Sequence, residues 1–236
     1  MLDVLADEIR AVLDTMGDPE RALEQRRYMK STMPYRGIVM AELRSTVRSV
    51  VRVSEHRPGG RNEWERTIRA LWDEASFRED RYAALTVARL PAFRRFSLDP
   101  ESLALYEELV RSGAWWDLVD ETAHLVGDLL AAHREVITSE MRRWSRDPDL
   151  WVRRVSIISQ LGAKSTTDTE LLRYCIEGSL ADPDFFARKA IGWALRQYAY
   201  TDPDWVRAFV AESGDRLSPL SRREALKRIG DRRGGG

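Results

Sequence analysis

Two short stretches hold the residue types from which a site could be built. Residues 112–121 read Ser-Gly-Ala-Trp-Trp-Asp-Leu-Val-Asp-Glu. Trp116 and Asp120 are four residues apart, so on a helix they share a face. A carboxylate beside an electron-rich ring can stabilise a developing cation and position a water. Asp117 falls on a different side. The plainer alternative makes Trp115 and Trp116 both core residues, with Asp117 and Asp120 as solvated first-turn acids that suit the helix dipole. Trp115 is read as core either way. The second stretch is Lys189-Ala-Ile-Gly-Trp-Ala-Leu-Arg196. Lys189, Trp193 and Arg196 occupy positions i, i+4 and i+7 of one helical face. A cation, an aromatic plate and another cation make a poor core and a good platform beside phosphates.

Other chemistries lack their residues. The chain has no GxxxxGK[ST] loop, GxGxxG turn, HExxH or GxSxG, so a phosphate loop, a zinc protease helix and a serine-hydrolase elbow are not available. The single cysteine, Cys175, excludes an intrachain disulfide and argues against a cysteine-built metal site. His56, His124 and His133 are far apart in sequence and supply a histidine triad or zinc site poorly. No metal and no cofactor is expected. The 38 basic and 38 acidic residues cancel, but 34 of the bases are arginine and the charge is unevenly placed. Residues 97–128 hold eight acids against Arg111 alone, whereas residues 185–236 hold eleven bases against six acids. A locally basic surface can still take phosphates at zero net charge.

These residues must be positioned by helices. Leu2, Leu5, Ile9, Val12 and Leu13 recur at three- and four-residue steps, and the same period returns in 40–54, 62–74, 79–90, 101–111, 115–131, 134–144, 149–162, 168–180, 184–199, 203–212 and 219–229. Strand-like alternation is absent. Asp-Pro pairs at 18–19, 99–100, 147–148, 182–183 and 202–203 predict helix starts, the Asp as N-cap and the Pro at the first helical position. An internal repeat sets the architecture. Asp147-Pro-Asp-Leu-Trp-Val-Arg-Arg-Val155 returns 35 residues later as Asp182-Pro-Asp-Phe-Phe-Ala-Arg-Lys-Ala190, enough for a helix pair with its turns. Residues 79–85 look like a weaker copy. This predicts an all-α, HEAT-like helical repeat superhelix with a concave groove, one domain over 1–230 and a disordered Arg/Gly tail over 231–236. The repeated basic pair, Arg153-Arg154 and Arg188-Lys189, either projects from a common face or caps and solvates each repeat. No run of 18 apolar residues occurs, and the opening MLDVLADEIR is acidic and amphipathic. A soluble cytoplasmic protein without membrane contact is expected.

The residues also carry a resemblance. Arg27-Tyr28-Met29-Lys30, Gly37-Ile38, Leu71-Trp72, Trp115-Trp116-Asp117-Leu-Val-Asp120, Trp151-Val-Arg-Arg154, Phe185 through Arg196, and Leu220 through Lys227 resemble, in collinear order, the DNA alkylation repair glycosylases of the AlkD type. The Trp-Trp-Asp-x-x-Asp and Lys-Ala-Ile-Gly-Trp segments are the specific ones. The resemblance implies a monomeric enzyme of the bacterial nucleoid. Its groove would hold duplex DNA, and it would hydrolyse the N-glycosidic bond of N3- or N7-alkylated purines, bulky adducts included, without a tight base pocket. It places the catalytic aspartate on Asp120 and its flanking tryptophans on Trp116 and Trp193. Contacts to DNA fall on Tyr28, Lys30, Arg154, Lys189, Arg196, Arg222 and Arg223. The family often has a proline opening the helix after Gly37-Ile38; Ala41 stands there and leaves that helix start open. The competing expectation is a HEAT-repeat module that binds DNA or protein without catalysis.

Overall fold

The structure, a computed structural model, describes residues 3–227 and 229. The tail expected to be disordered, 231–236, lies outside the described residues. The described residues are helical, with turns and no strand. The chain divides into two compact units, Met1–Ser102 and Leu103–Gly236.

The first unit contains α1 (Val4–Leu13), α2 (Pro19–Met29), α3 (Met40–Val53), α4 (Arg61–Asp73), α5 (Arg78–Arg89) and the short α6 (Arg94–Ser97). Helices α1, α3, α4 and α5 pack their apolar stripes together. Leu5, Ile9, Leu43, Val47, Ile68 and Leu71 are fully buried, with Trp64 and Trp72 at the centre. Each such aliphatic side chain contributes about 1.5–3 kcal/mol when withdrawn from water. Helix α2 has a weak stripe: its arginines and glutamates leave only Met29 buried. It starts because Asp18 accepts from the Arg21 amide at 3.0 Å and Pro19 occupies the first position. Helix α3 starts at Met40 after Val39 with no side-chain cap, and Ala41 is its second residue. Gly37 precedes it at φ +86°, and a Cβ there would overlap the Asp18 carbonyl.

The second unit contains α7 (Leu103–Gly113), α8 (Trp116–Ala132), α9 (Arg134–Trp144), α10 (Leu150–Ile158), α11 (Thr169–Glu177), α12 (Phe185–Tyr198), α13 (Pro203–Ser213) and α14 (Pro219–Leu226). Helices α8, α10, α12 and α14 pack in succession, each on the next, while α9 and α11 pack on one another and on α10. This is how stacked helix pairs bury faces that no single pair could bury alone. Gly192 makes the close approach of α14 to α12 possible. A Cβ there would sit 2.6 Å from Glu224 Cβ and 3.1 Å from the Ser221 carbonyl oxygen, so α14 crosses α12 at backbone distance.

Two helix starts differ from the Asp-Pro expectation. Helices α10 and α12 begin after Asp149 and Asp184, which accept from the Trp151 and Phe186 amides. Asp147 and Asp182 instead accept from the Asp149 and Asp184 amides, at 2.9 and 2.8 Å. Six residues on, Arg153 and Arg188 fold back onto the carbonyls of Asp147 and Asp182, at 2.6 and 3.0 Å. At Asp202-Pro203 the sixth residue is Ala208, the Asp202 carbonyl accepts from Val206, and the helix starts at Pro203 as expected.

Candidate functional site

The first member of each repeated basic pair is therefore a structural clip. Arg153 also meets Asp182 of the next repeat at 2.6 Å. The second members, Arg154 and Lys189, each turn to a carboxylate on a neighbouring helix of the same row. Neither of the two roles anticipated for the pair, a shared basic face or simple capping, describes both members.

Arg154 is only 5% exposed. Its guanidinium forks onto Asp120, with Nε to Oδ1 at 2.7 Å and Nη2 to Oδ2 at 2.8 Å, while Nη1 donates to the Phe186 carbonyl at 2.8 Å. One side chain on α10 thus ties α8 to α12. A planar guanidinium suits this, since it presents fixed donors to a carboxylate and keeps further donors for a carbonyl. Asp120 lies in the second turn of α8, not the first, where Asp117 stands. Its side chain keeps 16% exposure. Burial raises its pKa above the ordinary 3.8, and the bond and charge of Arg154, with the charge of His124, offset only part of that rise. His124 escaped the sequence reading although it stands one turn beyond Asp120; the i+4 spacing was the available signal.

Trp116, at the first position of α8 and one turn before Asp120, is half-buried, as is Trp193 on α12. Trp115 is half-buried as well. It packs against Trp151 and Phe186 with ring centroids 6.1 and 5.3 Å away, and those two rings lie 5.0 Å apart. The aromatic residue of each repeat joins this cluster, which fixes the start of α8 against α10 and α12 and so sets where Trp116 and Asp120 stand.

Beside Trp193, Lys189 and Arg196 share one partner. Glu224 of α14 lies 3.4 Å from Lys189 Nζ with Oε1 and bonds Arg196 Nη1 with Oε2. Burial acts to raise the Glu224 pKa, but the charges of Lys189, Arg196 and Lys227 prevail and hold it below the ordinary glutamate value. Nothing in the sequence marked Glu224, because its meaning depends on the α12–α14 crossing. Of the remaining expected contacts in this unit, Arg222 is half-buried and donates to the Gly214 carbonyl, whereas Arg223 is exposed. In the first unit, Tyr28 is 76% exposed, and Lys30 closes α2 in the left-handed conformation at φ 50° with its side chain exposed.

Among the described residues, no group of three His, Cys, Asp or Glu side chains could hold a metal ion, and no helix is long and apolar enough to cross a membrane. The arrangement provides a carboxylate pinned by a buried arginine, an aromatic ring one turn away, and a second ring flanked by cations.

Comparison with known proteins agrees with that chemistry. The chain is similar to a predicted DNA alkylation repair enzyme from Enterococcus faecalis, with 30% identity, a TM-score of 0.81, and coverage of 92% of this chain and 98% of that one. Its fold also matches the Pseudomonas fluorescens alkylpurine DNA glycosylase AlkC, solved bound to DNA containing an abasic site analog. That match has 16% identity and a TM-score of 0.53, and covers 95% of this chain and 61% of that one. No curated protein gives a significant match. The sequence pattern of one family, described as DNA alkylation repair enzyme, matches residues 9–229. A match of that length reaches into both units and includes every candidate site residue named above, and the chain belongs to the DNA alkylation repair enzyme family.

Proposed function

We propose that the protein is an alkylpurine DNA glycosylase of the AlkD type, hydrolysing the N-glycosidic bond of N3- or N7-alkylated purines in duplex DNA. The observation that carries this reading is the Asp120 carboxylate, held in a fork by Arg154 with its side chain 16% exposed, one helical turn from Trp116. Alkylation at N3 or N7 leaves the purine cationic, so the base departs without a general acid. As the C1′–N bond breaks, its electron pair neutralises the base and positive charge develops on the deoxyribose. Asp120 stabilises that charge and positions the water whose oxygen bonds to C1′. Because Arg154 fixes both carboxylate oxygens beforehand, the group needs no reorganisation when the charge appears. Trp116 and Trp193 offer their faces to the cationic nucleotide, each worth ~0.5–2 kcal/mol. Lys189, Arg196, Arg222 and Arg223, with Tyr28 and Lys30 of the first unit, are assigned to the DNA backbone, which positions the protein without reading sequence.

Arg154 is the exception among the assigned cations. Its donors are engaged by Asp120 and Phe186, which supports orientation of the carboxylate as its main role and phosphate contact as a lesser one. The same pairing gives the second reading its footing: an Asp120–Arg154 strut in a module that binds without catalysis. One experiment separates them. Base release is measured side by side from an N7-methylguanine duplex and from a duplex with a bulky N3-adenine adduct, each with and without chelator. Abasic sites from either substrate, unaffected by chelator, are the expected result. Salt-sensitive duplex binding with no base release would leave the module.

A further inference from the structure

We propose that Glu224 is a positioning residue that holds Lys189 and Arg196 on either side of Trp193 and, by occupying both cations, restrains the binding of undamaged duplex. The inference rests on the glycosylase reading above, in which the α12 face meets DNA.

The geometry is built from the backbone outward. The absence of a side chain at Gly192 lets α14 approach until Glu224 Cβ is 2.6 Å from where a Cβ on residue 192 would be. Ser221, one turn earlier on α14, donates its hydroxyl to the Arg188 carbonyl of α12 at 2.8 Å and fixes the register of the crossing. Glu224 is thereby delivered onto the face of α12 that carries Lys189, Trp193 and Arg196, with its side chain only 12% exposed. Its two oxygens are divided between cations seven residues apart, one to each. The pattern places the carboxylate across the stretch of helix that Trp193 occupies.

The consequence follows from charge. Two cations and one carboxylate leave this platform with one net positive charge where the sequence alone offers two. A phosphate that approaches Lys189 or Arg196 also meets the negative charge of the adjoining carboxylate, so duplex binding forfeits part of what each cation would otherwise contribute. An undamaged duplex brings only phosphates. An N3- or N7-alkylated purine brings a positive charge as well, and the same carboxylate attracts it. Glu224 therefore weakens binding to the abundant competitor and favours the rare cationic target, which is specificity by an unfavourable element rather than by added contacts.

The test uses the full-length protein. Affinity for an undamaged duplex is measured over a range of salt concentrations for wild type and Glu224→Gln, together with the inhibition of N7-methylguanine release by undamaged competitor. The variant is expected to bind undamaged duplex several-fold more tightly, with a salt slope steeper by about one unit for the released cation, and to be inhibited by correspondingly less competitor. Glu224→Asp shortens the side chain but keeps the charge, and is expected to return the salt slope toward the wild-type value. If both variants weaken binding alike, Glu224 is a packing residue and the proposal fails. If wild type binds duplex with normal salt sensitivity and Glu224→Gln leaves the slope unmoved, this inference alone is overturned. If wild type shows neither salt-sensitive duplex binding nor base release, the glycosylase reading falls with it.

Discussion

Each unit holds a buried arginine paired with carboxylates, Arg36 in the first and Arg154 in the second, and the two clusters are built to opposite ends. In the first unit Arg36 is 8% exposed, with Asp80 at 0% and Glu79 at 1%. Arg36 pairs with Asp80 and with Asp14, both at 2.7 Å, and its guanidinium lies 4.2 Å over the Phe77 ring. The carboxylates are then occupied by backbone. Glu79 accepts from the amides of Arg36, Gly37 and Ile38, and Asp80 from those of Ser76 and Phe77. Through Glu79 and Asp80 the cluster closes the 31–39 loop onto the start of α5, and only Asp14 at its rim stays exposed. In the second unit Arg154 is as deeply buried, but Asp120 accepts from Arg154 alone among the described residues, and its side chain keeps 16% exposure. A carboxylate oxygen has two lone pairs. Glu79 and Asp80 spend theirs on backbone amides as well; Asp120 accepts from no amide and keeps one on each oxygen beyond the Arg154 fork. The same residue types thus make a lock in one place and a poised acceptor in the other, and the difference lies in the backbone amides.

That contrast breaks most visibly at the lock. Glu79→Gln removes a buried charge that three amides were arranged to meet and turns amide donors toward them. A loss of about 3–5 kcal/mol is expected, seen as a denaturant midpoint shift in the transition that reports the first unit. Base release per folded molecule should stay at the wild-type level; a parallel loss of activity would tie Glu79 to the chemistry. The Asp120 carboxylate should behave in reverse. Asp120→Asn keeps shape and an acceptor for Arg154 while removing the negative charge. Excision should fall by about a hundredfold or more, on the order of 2.7–4 kcal/mol of barrier, with duplex affinity equal or slightly higher. Excision at the original rate would remove the electrostatic mechanism and favour the binding module. Asp117→Asn, next door at the first turn of α8, should lower stability by about 0.3–1 kcal/mol through the helix dipole. Activity should follow only the folded fraction.

What the sequence disclosed and what it hid divide along the same physical line. Helix periods are local, so α3, α4, α5, α8 and α12 lie within a residue or two of the expected spans, and Trp116 with Asp120 on one face follows from spacing alone. The helix over 79–90 is legible, but not the burial of Glu79, which follows from a loop some 40 residues earlier that turns its amides inward. Arg154 and Asp120 are 34 residues apart, and only the stacking of α8 on α10 brings them together. Glu224 acquires its partners through Gly192, a residue that sequence alone marks as weak in a helix. Helix α2 lacks a clear stripe and was signalled by its Asp-Pro start. At Asp147 and Asp182 that same signal places the start too early, because the second aspartates, Asp149 and Asp184, cap the helices.

The smallest effect, and the one that separates the two kinds of carboxylate most finely, is in pH. Asp120 is raised above the ordinary 3.8 because burial outweighs the help of Arg154 and His124. The folded state therefore takes up its proton at a higher pH than the unfolded chain does. The stability linked to Asp120 is fully present below the ordinary aspartate range and is lost as pH rises through its raised pKa. Its catalytic form, the carboxylate, accumulates over that same interval, so activity and this residue's share of stability run in opposite directions. Asp147 is the contrasting case. The Arg111 bond, aided by the Asp149 amide, outweighs burial and holds its pKa below the ordinary value, so its stabilisation is present above 3.8 and is lost as pH falls through the depressed pKa. Two measurements check this. Excision per folded molecule should show an acid limb centred above 3.8, and the stability difference, wild type minus Asp120→Asn, should shrink as pH rises through that limb. An acid limb at or below 3.8, or a difference that grows with pH, would mean that Arg154 governs the Asp120 carboxylate more than burial does, making it as closed a pair as the one around Arg36.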